Sequence, residues 1–209
     1  MICFFLPVKE DDTYKTIEKS AEGIFKDKGS KFIALAFAIT SEEEAKLIIQ
    51  EIKKEHFSAR HHCYAYRLGY YGEKYRANDD GEPSGTAGKP IYGQLLSFDI
   101  TNVLIVVVRY FGGTLLGVSG LINAYKCATR DAIENAKIIT KIIEKQVVLN
   151  FGYPVQNNVM KIIKDEKLEI CSSEFGMECR INVLVRLNKA EMVLNLFRSI
   201  DGLNVDELN

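Results

Sequence analysis

The chain has 209 residues, of which 47% are hydrophobic and 26% charged, as is typical of one large globular domain or two small ones. Its net charge is −1, and residues 141–209 carry 9 basic and 10 acidic side chains, so charge alone does not indicate a general phosphate-backbone binder. The five cysteines include no CxxC pair, which argues against a structural zinc site and favours free thiols in a reducing cytoplasm.

Two apolar stretches bear on targeting and on membranes. The start at residues 2–6 (ICFFL) is shorter than a signal-peptide core and follows no basic residue, so we expect a strand or a chain end there. The longest uncharged apolar run, residues 103–108, is far below the ~20 residues that span a bilayer. A membrane is therefore not an expected partner.

Residues 14–55 predict two strands followed by a helix. Polar and apolar residues alternate over 14–28, Gly29 forms a turn, and residues 31–39 resemble a second strand. Ser41 and Glu44 then form a capping-box pattern, and apolar residues recur at helical spacing up to residue 55. This segment predicts an amphipathic helix.

Residues 59–71 predict a strand rich in tyrosine. His61 and His62 would lie on opposite faces, so they cannot both ligate one metal, and structural histidines are the expected interpretation. Tyrosines at 64, 66, 70, 71 and 75, interleaved with Arg60, Arg67 and Arg76, would stack nucleobases if they were exposed. Because tyrosine is also ordinary strand material, the sequence leaves both interpretations open.

A polar glycine-rich loop at residues 76–90 (RANDDGEPSGTAGKP) precedes a predicted short helix over 91–98. Its carboxylates could hold a hard cation, but the calcium-loop pattern is absent, and solvated acids that cap a helix are the commoner case. A Walker loop would require residues other than Pro83 and Pro90, so no nucleotide cofactor is predicted.

An apolar strand over 103–111 (VLIVVVRYF) is predicted to be covered on both faces. Arg109 interrupts this buried run, and a buried guanidinium requires an acidic partner. We therefore expect Arg109 to pair with a carboxylate of the preceding polar loop, namely that of Asp79, Asp80 or Glu82.

A second glycine-rich loop over 112–120 (GGTLLGVSG) leads into a predicted helix over 118–137. Free N–H groups at such a helix start favour an anion, but the glycines could equally form only a tight, closely packed turn. A Ser–His nucleophile pair from Ser84 or Ser119 with either histidine is conceivable, yet the motif G-x-S-x-G is absent. No catalytic residue is predicted.

The last part of the chain predicts strand, helix, strand, strand, helix, strand, which is the ferredoxin-like βαββαβ order. The predicted strands cover 144–151, 168–175, 178–187 and 203–208, and the helices cover 155–165 and 189–200. No linker composition marks a boundary, which we expect within residues 138–141. The predicted domains are therefore residues 1–139 and 140–209.

The pair NDDGEPSGTAGKPI (residues 78–91) and VVVRYFGG…LG…GLINAY (residues 106–125) resembles the signature of the IMPACT family, in its bacterial form. The resemblance implies an N-terminal two-layer α/β domain like domain 2 of ribosomal protein S5. It also implies a ferredoxin-like C-terminal domain similar to the last domain of the translocation elongation factor. The second loop departs from the family pattern, because Leu115, Ser119 and Asn123 replace a lysine, a glycine and a basic residue.

Together these points predict an α+β, cytoplasmic, non-catalytic binding protein without a cofactor or metal, linked to translation or stress regulation. The expected partner is RNA, a ribosome or a protein, and not a specific DNA sequence. A hydrolase acting on a phosphorylated or peptide substrate at the same loops is the main alternative, and a structural interaction module is the third. The predicted binding residues are Arg76, Asp79, Asp80, Glu82, Ser84, Gly85, Thr86, Lys89, Arg109, Gly112, Gly113 and Gly117.

Overall fold

The structure is a computed structural model that describes residues 12–208. The chain divides into two compact units, one of residues 14–141 and the other of residues 12–13 with 142–208. The apolar segment at residues 2–6 lies outside the described residues. Within the described range, no helix combines the length and the apolar character that a membrane crossing requires.

The N-terminal unit is built on a five-stranded antiparallel sheet. Its strand order is β2-β3-β6-β4-β5, and β1 pairs separately with β7. The elements are β1 (Thr13–Ile17), β2 (Ala21–Asp27), β3 (Ser30–Ala38), α1 (Glu42–Glu55), β4 (His61–Leu68), β5 (Lys74–Asn78), α2 (Gly88–Ser97), β6 (Val103–Tyr110), α3 (Gly117–Asn135) and β7 (Ile138–Ile142).

Strand β6 lies in the middle of this sheet and is buried on both faces, as its continuous apolar run predicts. Ile105 and Val107 pack under helices α2 and α3, whereas Val106 and Val108 point to the opposite face, where α1 packs. Helix α1 begins where the sequence predicted, because the Ser41 Oγ accepts from the Glu44 N–H at 3.1 Å. The buried strand therefore fixes the position of the glycine-rich segment that begins at residue 111.

The C-terminal unit has a four-stranded antiparallel sheet with two helices on one face. Its strand order is β11-β8-β10-β9, so the ferredoxin-like βαββαβ prediction and the mixed α+β class are confirmed. The elements are β8 (Glu144–Phe151), α4 (Gln156–Asp165), β9 (Glu169–Phe175), β10 (Cys179–Arg186), α5 (Ala190–Arg198) and β11 (Leu203–Leu208).

Several predicted boundaries were wrong. Residues 13–27 form two strands, because a bend at residues 18–19 separates β1 from β2. Residues 74–78 form edge strand β5, so Arg76 lies in a strand and the polar loop begins only at residue 79. Helix α2 starts three residues earlier than predicted, at Gly88. The expected domain division at 139/140 falls within strand β7 and stays a prediction.

Candidate functional site

The two glycine-rich loops leave the sheet at the same edge. We call residues 79–87 the first loop, and residues 111–118, which include the first two residues of helix α3, the second loop. Asn78, the end of β5, pairs with Tyr64, three residues from the start of β4. His61 at that start pairs with Arg109, near the end of β6. The register of the three strands therefore carries both loops to one end of the N-terminal unit.

Asp79 holds the first loop closed. Its Oδ1 accepts from the N–H groups of Ala87 at 3.0 Å and Gly88 at 2.8 Å, and its Oδ2 accepts from Gly85 at 2.9 Å. Burial alone would raise the pKa of Asp79, but these three backbone bonds outweigh burial and lower it. A carboxylate of the chain itself therefore occupies the N-terminus of helix α2, where an external anion would otherwise bind.

Asp80 ties the same loop to β4 and to helix α1. Its Oδ2 accepts from the His62 N–H at 2.7 Å, and its Oδ1 accepts from Lys53 Nζ at 2.8 Å. These bonds outweigh the effect of burial and lower the pKa of Asp80. Its backbone oxygen also lies 2.9 Å from His61 Nδ1. Asp80 has a positive φ of 40°, which belongs to the tight turn that these contacts hold.

Glu82 and Arg109 form a buried ion pair, which confirms the predicted link between Arg109 and an acid of the first loop. Arg109 Nη1 donates to Glu82 Oε1 at 2.6 Å, and both side chains are buried. The guanidinium carbon lies 5.5 Å from the centre of the Phe32 ring and 5.6 Å from that of Phe111. The ion pair therefore links the first loop to β6, the strand that immediately precedes the second loop.

Tyr125 of helix α3 and Cys63 of β4 extend this pair into a buried network. Tyr125 donates to Glu82 Oε1 at 2.8 Å, and Cys63 Sγ lies 3.3 Å from the Tyr125 hydroxyl and 3.0 Å from the Asp79 carbonyl oxygen. Burial raises the pKa of the Cys63 thiol to about 12 and also raises the pKa of Tyr125. Cys63 is thus an inert thiol.

Sequence reasoning missed both Cys63 and Tyr125 as members of the site. For Tyr125 a signal was available, because it lies on the apolar face of the predicted helix, and a buried tyrosine hydroxyl requires a hydrogen-bond partner. The acids of the first loop, which were already expected to lie beside Arg109, were candidates for that partner. Cys63 offered no comparable signal, since a buried thiol commonly packs as a small apolar group.

The remaining predicted residues in and beside the first loop divide into inner and outer groups. Thr86 is buried and donates to the Pro83 carbonyl oxygen at 2.6 Å, and Gly85, at φ +78°, bonds to Asp79. Ser84 and Lys89 are exposed, as is Arg76 on β5. Only this outer group is accessible to a partner through its side chains.

The glycines of the second loop serve two different purposes. Gly112 packs so tightly against the β2–β3 turn that an added Cβ would lie 1.9 Å from the Gly29 carbonyl carbon, and its N–H donates to Ser30 Oγ. At Gly113 and Gly117, which have φ values of +88° and +72°, an added Cβ would meet open space. Close packing thus explains Gly112, whereas positive φ explains the other two.

The second loop exposes apolar side chains and carries no charge. Phe111, Leu115 and Val118 are 49%, 82% and 60% exposed, and the sequence from 111 to 125 contains no charged residue. Helix α3 has Leu116 at its N-cap, and this apolar side chain forms no capping hydrogen bond. The second loop is therefore an open, uncharged surface with accessible backbone.

The acids and histidines of this end bond to separate parts of the scaffold. Asp79, Asp80 and Glu82 each bond to a different part of the scaffold, and the described residues contain no group of three or more metal-ligating side chains. His62 is buried, which lowers its pKa, and its Nε2 lies 3.2 Å from the His56 carbonyl oxygen. His62 is therefore the structural histidine that the sequence predicted.

Fold and site define a mixed α+β protein whose N-terminal unit presents one clasped loop and one open loop at a single sheet edge. The family model described as the Impact N-terminal domain matches residues 28–133, which includes both loops. The chain belongs to the IMPACT family.

Curated relatives are similar to different shares of the chain. The IMPACT family member YvyE of Bacillus subtilis is 38% identical over 62% of this chain and 59% of its own length. YigZ of Escherichia coli is 41% identical over 51% of this chain and 53% of its own length. An IMPACT family member of Haemophilus influenzae is 33% identical over 82% of both chains. For YvyE and YigZ the chain thus covers less than two thirds of the relative.

A solved structure supports the arrangement of elements in both units. The crystal structure of a hypothetical protein superposes with a TM-score of 0.69 at 26% identity, covering 95% of this chain and 98% of its own. The similarity therefore extends beyond residues 28–133 into the C-terminal unit.

Proposed function

We propose that the protein is a non-catalytic cytoplasmic binding protein in translation or stress regulation, and that it contacts RNA, a ribosome or a protein partner through the two-loop end of its N-terminal unit. Membership of the IMPACT family supports this proposal. So does the resemblance of the two predicted domains to modules of a ribosomal protein and an elongation factor, which is an argument from fold alone.

One observation carries the proposal. The acids that would serve a hydrolase hold the first loop in place, whereas the second loop leaves Phe111, Leu115 and Val118 exposed. An apolar patch at a loop is a common mark of an interaction surface. The lack of charge in this loop favours a surface that recognises its partner by shape and apolar contact.

The predicted residues then take two roles. The exposed group, Arg76, Ser84, Lys89, Gly113 and Gly117, faces the partner. The others hold the loops in register through the contacts described above, and they are Asp79, Asp80, Glu82, Gly85, Thr86, Arg109 and Gly112.

Cosedimentation tests the proposal. Purified protein is added to a bacterial lysate, and its share in the ribosomal fractions of a sucrose gradient is compared with that of a Leu115→Ser, Val118→Ser double variant. We expect the double variant to lose about five-fold of that share, because exposed apolar anchors dominate such contacts. Leu47→Ser on α1, at a site 62% exposed, is the matched control and should leave the share unchanged.

Two results would count against the proposal. Loss of cosedimentation to the same extent in Leu47→Ser would show that the loops have no special role. Turnover of a phosphorylated or peptide substrate by the wild-type protein, abolished by a substitution at Ser84, would establish the hydrolase alternative instead.

A further inference from the structure

Strand β9 is an edge of the C-terminal sheet, and all seven of its residues are exposed. It pairs with β10 alone, and the register shifts between Asn182 and Val183 of β10, which leaves Cys171 of β9 as an extra residue. The regular part of this edge is therefore residues 172–175. An exposed edge strand offers unpaired N–H and C=O groups to another strand.

The hydrogen bond at the tip of the β9–β10 hairpin fixes which backbone groups point outward. The Gly176 N–H donates to the Glu178 carbonyl oxygen at 3.1 Å. Because hydrogen-bonded and non-hydrogen-bonded pairs alternate along an antiparallel ladder, Phe175 and Ser173 occupy non-hydrogen-bonded positions opposite β10. Their N–H and C=O groups point away from β10, and no hydrogen bond from residues 12–208 reaches them. The edge thus presents free donors and acceptors at two-residue spacing.

Three other sheet edges are protected. At β2, the Ile24 N–H donates to Asp131 Oδ2 at 2.8 Å, and Asn135 Nδ2 donates to the Glu22 carbonyl oxygen at 2.9 Å, so side chains of α3 occupy that edge. Strands β5 and β11 each carry two like charges, which hinder pairing with a further strand. The regular part of β9 carries a single charge, on Glu174.

This regular edge is complementary to a second copy of itself. When two β9 strands pair antiparallel about Ser173, each Ser173 faces its own copy, and Ser172 faces Glu174 of the other strand. Ser172 Oγ accepts from Asn182 Nδ2 at 2.6 Å, which leaves its hydroxyl proton to donate to that carboxylate. The two Glu174 side chains are not directly opposite each other, and each lies beside Arg180 of β10. No like charges therefore meet head-on.

The same register covers exposed apolar surface and ends the assembly at two copies. Phe175 is 52% exposed, and it comes opposite the exposed Cys171 of the second copy. Each copy uses its own β9, so the contact is two-fold symmetric and closed. The other edge of each sheet is the charged strand β11, which does not favour a further copy.

We propose that the protein forms a two-fold symmetric dimer in which the β9 strands of two copies pair antiparallel about Ser173. The four-stranded sheets of the two C-terminal units then continue into each other. The inference goes beyond the proposed function, since it uses no residue of the two-loop end and is tested with different variants.

Sedimentation velocity of the full chain, from about 1 to about 200 µM, tests the inference, because a dimer joined by so short an edge dissociates on dilution. We expect Ser173→Pro to weaken dimerisation about ten-fold, because each copy loses one outward N–H donor. Proline is tolerated at such a position, where the N–H does not bond within the sheet. Ser173→Thr keeps the N–H and is the matched control, which should dimerise as the wild type does.

Disulfide trapping checks the register. In a Cys171→Ser background, Ser173→Cys places two thiols on directly opposite residues, with Cα atoms about 5.5 Å apart, which suits a disulfide. Mild oxidation should then give a covalent dimer that the Cys171→Ser parent does not form. Ser172→Cys in the same background faces Glu174 and is the matched control, which we expect to cross-link far less.

The possible outcomes are distinct. A concentration-dependent dimer that Ser173→Pro weakens and Ser173→Cys traps supports the inference. A monomer at every concentration overturns it and leaves the proposed function standing. A dimer that Ser173→Pro leaves unchanged, or equal cross-linking through positions 172 and 173, also overturns it, because the copies would then meet through another surface or in another register.

Discussion

The two glycine-rich loops lead into helices α2 and α3, and the N-termini of these helices differ in whether an acidic side chain accepts from their first N–H groups. Helix α2 begins at Ala87 and Gly88, whose N–H groups donate to the carboxylate of Asp79, eight and nine residues earlier in the chain. Helix α3 begins at Leu116 and Gly117, and the Leu116 side chain has no acceptor to offer the first turn of the helix. The same loop-to-helix pattern in the sequence thus gives one closed end and one open end.

The difference shows how to interpret such loops. Glycine makes a loop able to approach a ligand, but an acid within reach can satisfy the loop's donors before any ligand does. In the first loop the acids Asp79, Asp80 and Glu82 all turn inward. In the second loop there is no acid to turn inward, so its backbone and apolar side chains stay accessible.

The largest expected effect comes from breaking the buried pair of the closed loop. Arg109→Met leaves Glu82 buried with only the Tyr125 hydroxyl, and removal of one member of a buried pair costs about 3–5 kcal/mol. Urea unfolding of the variant measures this loss. Arg130→Met, which breaks the exposed pair with Glu134, is the control and should show no measurable change.

If the free energy of unfolding of Arg109→Met equals that of the wild type within error, the Arg109–Glu82 pair contributes nothing measurable to stability. The double variant Arg109→Met, Glu82→Leu sharpens the result. It removes both charges, so it should be more stable than Arg109→Met alone, even though Tyr125 loses its acceptor.

The next largest effect distinguishes Gly112 from Gly113, the first two glycines of the second loop. Gly112→Ala places a Cβ 1.9 Å from backbone atoms of the β2–β3 turn, so the turn must shift, at a cost of about 2–3 kcal/mol. Gly113→Ala meets no atom and costs only about 1 kcal/mol for its positive φ. Thermal unfolding of the two variants measures both. Equal losses would contradict the assignment of packing to one glycine and conformation to the other.

Sequence reasoning succeeded where pattern alone decides the structure. The apolar run of β6, the capping box at Ser41 and the βαββαβ order of the C-terminal unit follow from local rules, and all appear in the structure. Strand β5 was missed because its residues, KYRAN, are polar and form an edge strand exposed along most of its length, which leaves no alternation to detect.

The site was predictable in part for the same reason. A buried arginine needs an acid, which limited its partner to three residues, but only the path of the chain selects Glu82. The three donors that converge on Asp79 come from positions 85, 87 and 88 through a turn with positive φ at Gly81 and Gly85. No local rule places such a turn.

The closed helix end makes a smaller, pH-dependent contribution. Asp79→Asn keeps one oxygen for three donors, and we expect it to lose about 1–2 kcal/mol at neutral pH. Because the folded-state pKa of Asp79 is lowered from 3.8, its contribution is fully present above pH 3.8 and is lost as the pH falls through the folded-state value. The gap between wild type and variant should therefore stay constant from about pH 7 to about pH 5 and narrow below about pH 4.

Urea unfolding at several pH values measures that gap. Glu51→Gln, at an exposed position on α1, is the control and should track the wild type throughout. If the difference in the free energy of unfolding between the wild type and Asp79→Asn widens as the pH falls, its sign is wrong for a carboxylate stabilised by hydrogen-bond donors. That result would contradict the role assigned to Asp79 at the N-terminus of α2.

The smallest expected change in the free energy of unfolding is at the second loop. A small change is informative there, because it indicates that the exposed apolar side chains do not stabilise the fold. Leu115 is 82% exposed, so Leu115→Ser removes little buried area and should change the free energy of unfolding by less than about 0.5 kcal/mol. Leu121→Ser, six residues along and almost fully buried, should instead cost about 3 kcal/mol or more. Chemical denaturation of the two leucine variants makes the comparison within one segment. A stability loss at Leu115 comparable to that at Leu121 would mean that the loop packs against the protein itself, in which case its apolar side chains are part of the fold and no longer argue for a partner.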